Sequence, residues 1–231
     1  MKRLFYVGIL SALLLAACGE GESNPKEEKV IEASTNKENV EEEENKTQAE
    51  EVEPTPKQQL SDALISLFDE KLAFDSGDYI QGDIPKGDYA FVRFNEGQYY
   101  SEENQNGDIV DNENFDSFGY VFVHGVGNIS NGGLLINISA FDKLNVSSAK
   151  QIFEMLNDKT DYTDAGYYKV GVDIPAGSYV LESYGDAYGE VATGPVGNSE
   201  IVTNNNFNGR YQVNVVDGQY LVFSNAMITQ Q

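Results

Sequence analysis

The chain has 231 residues and a net charge of −23, from 38 aspartates and glutamates against 15 lysines and arginines. This charge argues against binding nucleic acid or lying flat on an anionic membrane surface, because both are themselves strongly negative. With one cysteine and one histidine in the chain, the usual zinc sites, which need several of these side chains, are excluded.

A signal-like segment opens the chain. The basic pair at 2–3 precedes a run of 14 residues, from Leu4 to Ala17, that is almost wholly apolar. This length is short for a membrane-spanning helix and is typical of a signal-peptide core. The run ends in the letters LAACG at 15–19, which resemble the lipobox of bacterial lipoproteins.

The lipobox resemblance implies cleavage between Ala17 and Cys18 and a diacylglycerol group on the Cys18 thiol. Residues 1–17 are then a lipoprotein signal peptide, and acyl chains hold the mature protein on the extracellular face of the cell membrane. Because Cys18 is the only cysteine, the exported chain has none left for disulfides. The alternative is an ordinary secretory signal that ends near a chance cysteine.

Residues 18–57 are predicted to form a disordered acidic tether that starts at the lipidated Cys18. Residues 19–57 hold 13 glutamates and 5 lysines and contain no aromatic residue. Such a segment buries too little apolar surface to offset the entropy lost on ordering. Its composition resembles the spacers of Gram-positive surface lipoproteins. The alternative is an acidic tail that binds a cation or a partner.

One pattern, D-I-P-x-G-x-Y, occurs twice at an offset of 90 residues, and segments 108–115 and 200–207 match at an offset of 92. This nearly constant offset predicts one structural unit used twice, as repeat units 58–144 and 145–231. Proline and glycine favour a structural turn here; the alternative is a loop that contacts a shared ligand. The repeat-turn residues are Asp83, Ile84, Pro85, Gly87, Tyr89, Asp173, Ile174, Pro175, Gly177 and Tyr179.

Each repeat unit is predicted to consist of a short helix followed by short strands. Apolar residues recur at helical spacing at positions 60, 64, 67 and 68, and again at 149, 152, 153 and 156. Asp217-Gly218 predicts a two-residue type I′ hairpin between Tyr211–Val215 and Tyr220–Phe223. In the first unit, Tyr120–Val123 is predicted to pair with Leu134–Ile136 across a glycine-rich loop.

The predicted fold is therefore mainly β (α+β), with two tandem small antiparallel β-sandwich or barrel-like repeats, each preceded by a short helix. The paired G-x-D-I-P-x-G-x-Y units resemble a repeat found in secreted proteins and lipoproteins of Gram-positive bacteria. Gly171–Tyr179 is the closer match, and the resemblance covers roughly residues 58–231. No activity is established for that family, so the resemblance implies an architecture and a location but no site.

Calcium is the one cofactor that the composition favours, and only weakly. Five oxygen-bearing side chains fall within nine residues, but their spacing does not match an EF-hand. The alternative is a plain loop, because Asn and Asp bond readily to local backbone. The candidate calcium ligands are Asp108, Asp111, Asn112, Asn114 and Asp116.

No catalytic residue is assigned. His124 aligns with Val215 in the repeat and is interpreted as structural, and no nucleophile-elbow or phosphate-binding motif accompanies it. The predicted function is a non-catalytic, membrane-anchored extracellular binding or envelope-associated module, with a cell-wall or protein partner. The alternatives are a carboxylate-based wall-modifying hydrolase and a structural protein that associates with itself.

Overall fold

The computed structural model describes residues 53–94, 97–159 and 166–230. The predicted signal peptide, its Ala17–Cys18 cleavage site, the Cys18 lipidation site and the tether up to residue 52 lie outside the described residues. Within the described part, the protein is mainly β with antiparallel sheets, as predicted. None of the helices in this part is long and apolar enough to cross a membrane.

The first predicted helix is confirmed as α1 (Pro56–Asp69), which begins two residues before the predicted boundary at 58. Thr55 caps it: its hydroxyl accepts the Gln58 N–H, and the Gln58 side chain accepts the Thr55 N–H. Proline at the first helical position has no N–H that would lack a partner there. The buried stripe is Leu60, Leu64 and Leu67, whereas Phe68, which shares the apolar spacing, is 37% exposed.

Eight strands of the first half form two four-stranded antiparallel sheets. Their orders are β1-β8-β3-β6 and β2-β7-β4-β5. The strands are β1 (Ala73–Phe74), β2 (Gly77–Tyr79), β3 (Gly87–Val92), β4 (Tyr99–Glu103), β5 (Ile109–Asn114), β6 (Phe118–Val123), β7 (Ile129–Asn131) and β8 (Leu134–Asn137).

The predicted hairpin between Tyr120–Val123 and Leu134–Ile136 is wrong. These segments are β6 and β8, and both pair with β3: Tyr89 lies opposite Val121 on one side and Asn137 on the other. Between them the chain forms β7, which pairs with β2 and β4 in the second sheet. Because the chain leaves the first sheet at β7, it returns on the far side of β3.

The second predicted helix is confirmed as α3 (Ala149–Asn157), which follows the 3₁₀ turn η1 (Ile138–Ala140) and the short helix α2 (Phe141–Leu144). The Ser148 hydroxyl caps α3 by accepting the Gln151 N–H at 3.1 Å. All four predicted core residues, at positions 149, 152, 153 and 156, are buried.

The second half forms one five-stranded antiparallel sheet around a long central strand, β10. The order is β11-β10-β13-β9, and β12 also pairs with β10. The pairing of β10 with β13 shifts register between Ser183 and Tyr188, which marks an irregularity in the middle of the strand. The strands are β9 (Gly166–Lys169), β10 (Gly177–Ala192), β11 (Ile201–Phe207), β12 (Arg210–Val215) and β13 (Tyr220–Gln230).

The predicted type I′ hairpin at Asp217-Gly218 is also wrong. A turn does occur, with the Gln219 N–H donating to the Val216 carbonyl at 3.1 Å. However, only Gly218 has positive φ (88°), and type I′ needs positive φ at both central residues. Strands β12 and β13 pair with opposite sides of β10, so this turn connects two partners of one central strand.

The two halves of the chain share one hydrophobic core. Residues 51–231 form one compact unit, and their buried apolar side chains form a single cluster. Phe118 of β6 packs edge-on against Tyr168 of β9, with ring centroids 5.0 Å apart. Tyr120 of β6 contacts Tyr220 of β13 in the same way at 5.6 Å. The sheet of the second half is therefore packed against strand β6 of the first.

Candidate functional site

The two repeat turns are built in the same way. The Tyr89 hydroxyl donates to the Pro85 carbonyl at 2.8 Å, and the Tyr179 hydroxyl donates to the Pro175 carbonyl at 2.6 Å. Both tyrosines are buried. In each copy the tyrosine that is the third residue of the outgoing strand therefore closes the turn onto the proline. These contacts are internal to the turn and give the motif a structural role.

Each repeat aspartate accepts a hydrogen bond from a backbone N–H shortly before it in the chain, but the two aspartates differ in their surroundings. Asp83 Oδ2 accepts the Ile80 N–H at 3.2 Å and Asp173 Oδ2 accepts the Lys169 N–H at 2.8 Å. Asp83 is exposed, whereas Asp173 is half-buried and also accepts the Tyr120 hydroxyl. Burial raises the pKa of Asp173, and its hydrogen bonds oppose that rise.

A cleft of about 360 Å³ separates strand β5 from the sheet of the second half. One wall consists of the six consecutive residues 111–116. The other includes Tyr167 of β9, Tyr188 and Glu190 of β10, and residues of β13. Four residues at 196–201 also line the cleft, and one of them, Val196, exchanges backbone hydrogen bonds with strand β6 at 2.8 and 3.0 Å.

Strand β5 presents its edge to this cleft. Side chains of a strand alternate between its two faces, so the four consecutive β5 residues that line the cleft, 111–114, mean that the backbone edge borders the cavity. Strand β5 pairs only with β4 on its other side. Its register is interrupted at Val110, and strand β11 is interrupted at the matching repeat position, Val202. The regular part of β5 therefore starts at Asp111.

The cleft is acidic. Four lining side chains are carboxylates, and among the described residues that line it none is lysine, arginine or histidine. Burial raises the pKa of Glu113; the neighbouring Asn114 N–H opposes this, and the charges of Glu190 and Asp116 add to it. Glu190 Oε2 accepts a short hydrogen bond from the Tyr188 hydroxyl. The lining carboxylates are Asp111, Glu113, Asp116 and Glu190.

Aromatic rings supply much of the remaining lining. Phe115 stacks on Phe91 of β3, with centroids 4.5 Å apart. Gly119 makes this possible, because a Cβ there would lie 2.0 Å from the Phe115 ring. The Tyr167 hydroxyl donates to the Gly194 carbonyl at 3.1 Å, which fixes the opposite wall. The lining rings are Phe115, Phe118, Tyr167, Tyr188 and Phe223.

His124 lies beside Asp111, at the start of the regular part of β5. Its Nδ1 lies 3.4 Å from Asp111 Oδ2 and 3.4 Å from Glu102 Oε2. Glu102 is fully buried and accepts the backbone N–H groups of His124 and Val126 at 2.8 and 3.0 Å. The buried Tyr100 hydroxyl lies beside these carboxylates and has no hydrogen-bond partner among the described residues; burial and these charges raise its pKa.

The structure brings four of the five candidate calcium ligands to the cleft and leaves one outside. Asp111, Asn112, Asn114 and Asp116 line it, whereas Asp108 precedes β5 and accepts a hydrogen bond from Asn104 at 3.1 Å. The described residues contain no group of three or more His, Cys, Asp or Glu side chains arranged to hold a metal ion. Calcium at these residues stays a prediction.

The interpretation of the Asn- and Asp-rich segments as loops is wrong, because they form strands β5 and β11. Both lie at sheet edges and keep most of their side chains exposed, so polar composition does not prevent strand pairing. Sequence reasoning also missed Glu113, Glu190, Tyr167 and Tyr188 as one site. They lie on three separate strands, and no local pattern joins them.

No family model matches the chain, and neither a curated protein nor a solved structure matches it.

Proposed function

We propose that this protein is a membrane-anchored extracellular lipoprotein that works as a non-catalytic binding module, with the cleft between β5 and the second-half sheet as its ligand site. The anchor and location rest on the lipobox-like residues at 15–19 and the acidic segment that follows them. The cleft is the observation that carries the binding function, because it combines a concave shape with aromatic and charged walls.

The shared core supports this assignment. A cleft between two independently moving modules would lose its shape, whereas both walls of this one continue into a single hydrophobic cluster. Its volume of about 360 Å³ falls in the range of pockets that bind small ligands or short peptide segments. The function proposed is thus recognition by a preformed site.

The arrangement around His124 favours binding over nucleophilic catalysis. The carboxylates of Glu102 and Asp111 both lie close to its Nδ1. The Glu102 carboxylate also accepts hydrogen bonds from two backbone N–H groups. A catalytic triad needs the histidine between a carboxylate and a nucleophile. Here both carboxylates lie against the same ring nitrogen, Nδ1, and the contacts that the ring makes with other described residues include no nucleophile.

A carboxylate-based hydrolase is the second candidate function. Glu113 and Glu190 both line the cleft, and the charge of Glu190 helps to raise the pKa of Glu113. Two carboxyl groups that face one cavity, one of them with a raised pKa, form the kind of pair that glycoside hydrolysis uses. This candidate predicts that purified protein releases soluble fragments from cell-wall glycan and that Glu113→Gln abolishes the release. A binding module gives no release with either protein.

The binding function is tested with residues 19–231, which retain every described residue. The melting temperature is followed with millimolar Ca²⁺ and with soluble cell-wall fragments; a ligand at one hundred times its dissociation constant adds about 2.7 kcal/mol to stability. Ser199→Trp fills the cleft, and Asn198→Trp is the control, because both residues are exposed and only Ser199 lines it.

A rise in melting temperature that Ser199→Trp removes and Asn198→Trp retains supports the cleft as the ligand site. A rise that survives both substitutions places binding elsewhere and contradicts the proposal. A rise with Ca²⁺ alone, lost in Asn112→Ala and Asn114→Ala, assigns the cleft to the metal.

A further inference from the structure

We propose that the cleft binds an extended peptide segment through one lysine side chain, with the peptide backbone along the edge of β5. This inference rests on the cleft being the ligand site and names the class of ligand. In it the lysine ammonium lies between Glu113 and Glu190, and the aliphatic part of the side chain packs against the half-buried Tyr188 ring.

The charge of the cleft selects a cation. Four carboxylates line the cavity without any lysine, arginine or histidine among its described lining residues. Asp111 is already close to His124, with 3.4 Å between Oδ2 and Nδ1. The charges of Glu190 and Asp116 both act on Glu113, and a cation beside Glu113 and Glu190 would relieve that repulsion.

The walls fit a cation carried on an apolar stem. Tyr188 is half-buried and lies two residues before Glu190 on β10, whereas Phe115 and Tyr167 are buried and contact each other. An ammonium near a tyrosine ring is attracted by its π electrons, and methylene groups gain contact with the same rings. A lysine side chain combines both properties, whereas a hydrated metal ion has no apolar part to place there.

The edge of β5 fits a peptide backbone. The stretch from Asp111 to Asn114 borders the cleft and, among the described strands, pairs with β4 alone, so one side of its backbone has no strand partner in that part of the chain. Strand addition to such an edge satisfies backbone groups on both chains. The bulge at Val110 confines the added strand to the part of β5 that lines the cleft.

The test measures binding of residues 19–231 to the peptide acetyl-Thr-Val-Lys-Val-Thr-amide by calorimetry at low salt. Three further probes test the lysine contact and the backbone contact separately. They are the same peptide with norleucine for lysine, the same peptide with both valine nitrogens methylated, and n-butylamine. Glu113→Gln and Glu190→Gln remove the two cleft charges. Glu182→Gln is the control, because it lies on β10 with Glu190 but is exposed outside the cleft.

The lysine peptide is expected to bind, and norleucine, Glu113→Gln or Glu190→Gln should each weaken binding by about tenfold. Glu182→Gln should change the affinity by less than about twofold, and added salt should weaken binding. Backbone methylation should also weaken it, and n-butylamine should bind more weakly than the peptide. Equal affinity for lysine and norleucine, or equal effects of Glu182→Gln and Glu113→Gln, would overturn the lysine assignment.

Methylated peptide that binds as tightly as the parent overturns the strand-edge part of the proposal. Absence of any peptide binding overturns the whole inference, and the cleft function is then judged separately. That function survives if cell-wall fragments still stabilise Asn198→Trp but not Ser199→Trp. The cleft function also fails if no cell-wall fragment stabilises Asn198→Trp more than Ser199→Trp.

Discussion

Tyr120 donates its hydroxyl hydrogen to Asp173 Oδ2 over 2.7 Å, and the same hydroxyl oxygen accepts the Ala149 N–H at 3.2 Å. This pair joins strand β6 of the first half to the start of helix α3 and to the repeat turn of the second half. Asp173 also accepts the Lys150 N–H at 3.3 Å. One carboxylate thus connects three elements that meet at the boundary between the repeats.

Replacing Asp173 by asparagine should lower the free energy of unfolding by about 1–3 kcal/mol, because the amide nitrogen cannot accept the hydrogen bonds that one carboxylate oxygen now accepts. Chemical denaturation of the variant measures this loss. Asp83→Asn is the matched control at the same repeat position, where the side chain is exposed and its one recorded hydrogen bond is to the Ile80 N–H. Equal losses in both variants would refute a special role for Asp173.

The tyrosine–proline contact should stabilise both repeat turns. Tyr89→Phe and Tyr179→Phe each remove a hydrogen bond to a proline carbonyl while keeping the buried ring. Each should lower the free energy of unfolding by about 1 kcal/mol. Tyr99→Phe, in which the tyrosine is 37% exposed, is the control and should change it by much less. If Tyr179→Phe left the free energy of unfolding unchanged, the turn would be stable without this hydrogen bond.

Glu113→Gln should stabilise the protein at neutral pH. The folded state raises the pKa of Glu113 above its ordinary value of 4.5, so folding favours the protonated carboxyl. That contribution is fully present below the ordinary pKa and is lost as pH rises through the folded pKa. The variant should therefore melt a few degrees higher than the natural chain at pH 7, with the difference shrinking towards pH 4.

The matched control for this pH dependence is Glu182→Gln, which removes an exposed charge from β10. Its melting temperature should follow that of the natural chain at every pH. A gain for Glu113→Gln that grows as pH falls would have the wrong sign and would contradict the assignment of Glu113 as a carboxylate destabilised by burial.

Cys18→Ala should release the protein from the membrane or leave its precursor uncleaved. The thioether to diacylglycerol needs the cysteine sulfur, and alanine offers no acceptor. Fractionation of expressing cells, with detection of the chain in membrane and soluble fractions, measures the outcome. Ser11→Ala, within the apolar run, is the control. Retention of processed Cys18→Ala in the membrane fraction would refute the lipid anchor.

A fragment of residues 145–231 should not melt cooperatively. Its Tyr168 and Tyr220 pack against Phe118 and Tyr120 of the first half, and removing those partners exposes apolar surface. Circular dichroism during heating compares it with residues 19–231. A sharp transition in the fragment would show that the second repeat is an independent domain.

The two longer helices, α1 and α3, were predictable because their signals are local, whereas the short helix α2 was not predicted. Every apolar residue of α3 at positions 149, 152, 153 and 156 is buried as the spacing predicted, and Ser148 caps the helix. In α1 the spacing indicated the helix correctly but included Phe68, whose exposure depends on which elements pack nearby. Helical periodicity thus located the elements, and packing selected the buried members.

Strand partners were not predictable in the same way. Both predicted hairpins joined strands that are near each other in sequence, yet in each case the two strands flank a third, β3 or β10. Alternation of apolar residues indicates that a segment is a strand, but it carries no information on which neighbour supplies the hydrogen bonds. The Asn-rich edge strands β5 and β11 lack even this alternation of apolar and polar residues.

The acidity, the two longer helices, the mainly β class and the repeated turn could be read from the amino-acid sequence, because they depend on composition and on residues within a few positions of each other. The core shared by the two halves and the cleft shared by Glu113 and Glu190 became visible only in the folded structure. Those relationships join residues distant in sequence, and they arise when apolar faces of separate sheets are buried together.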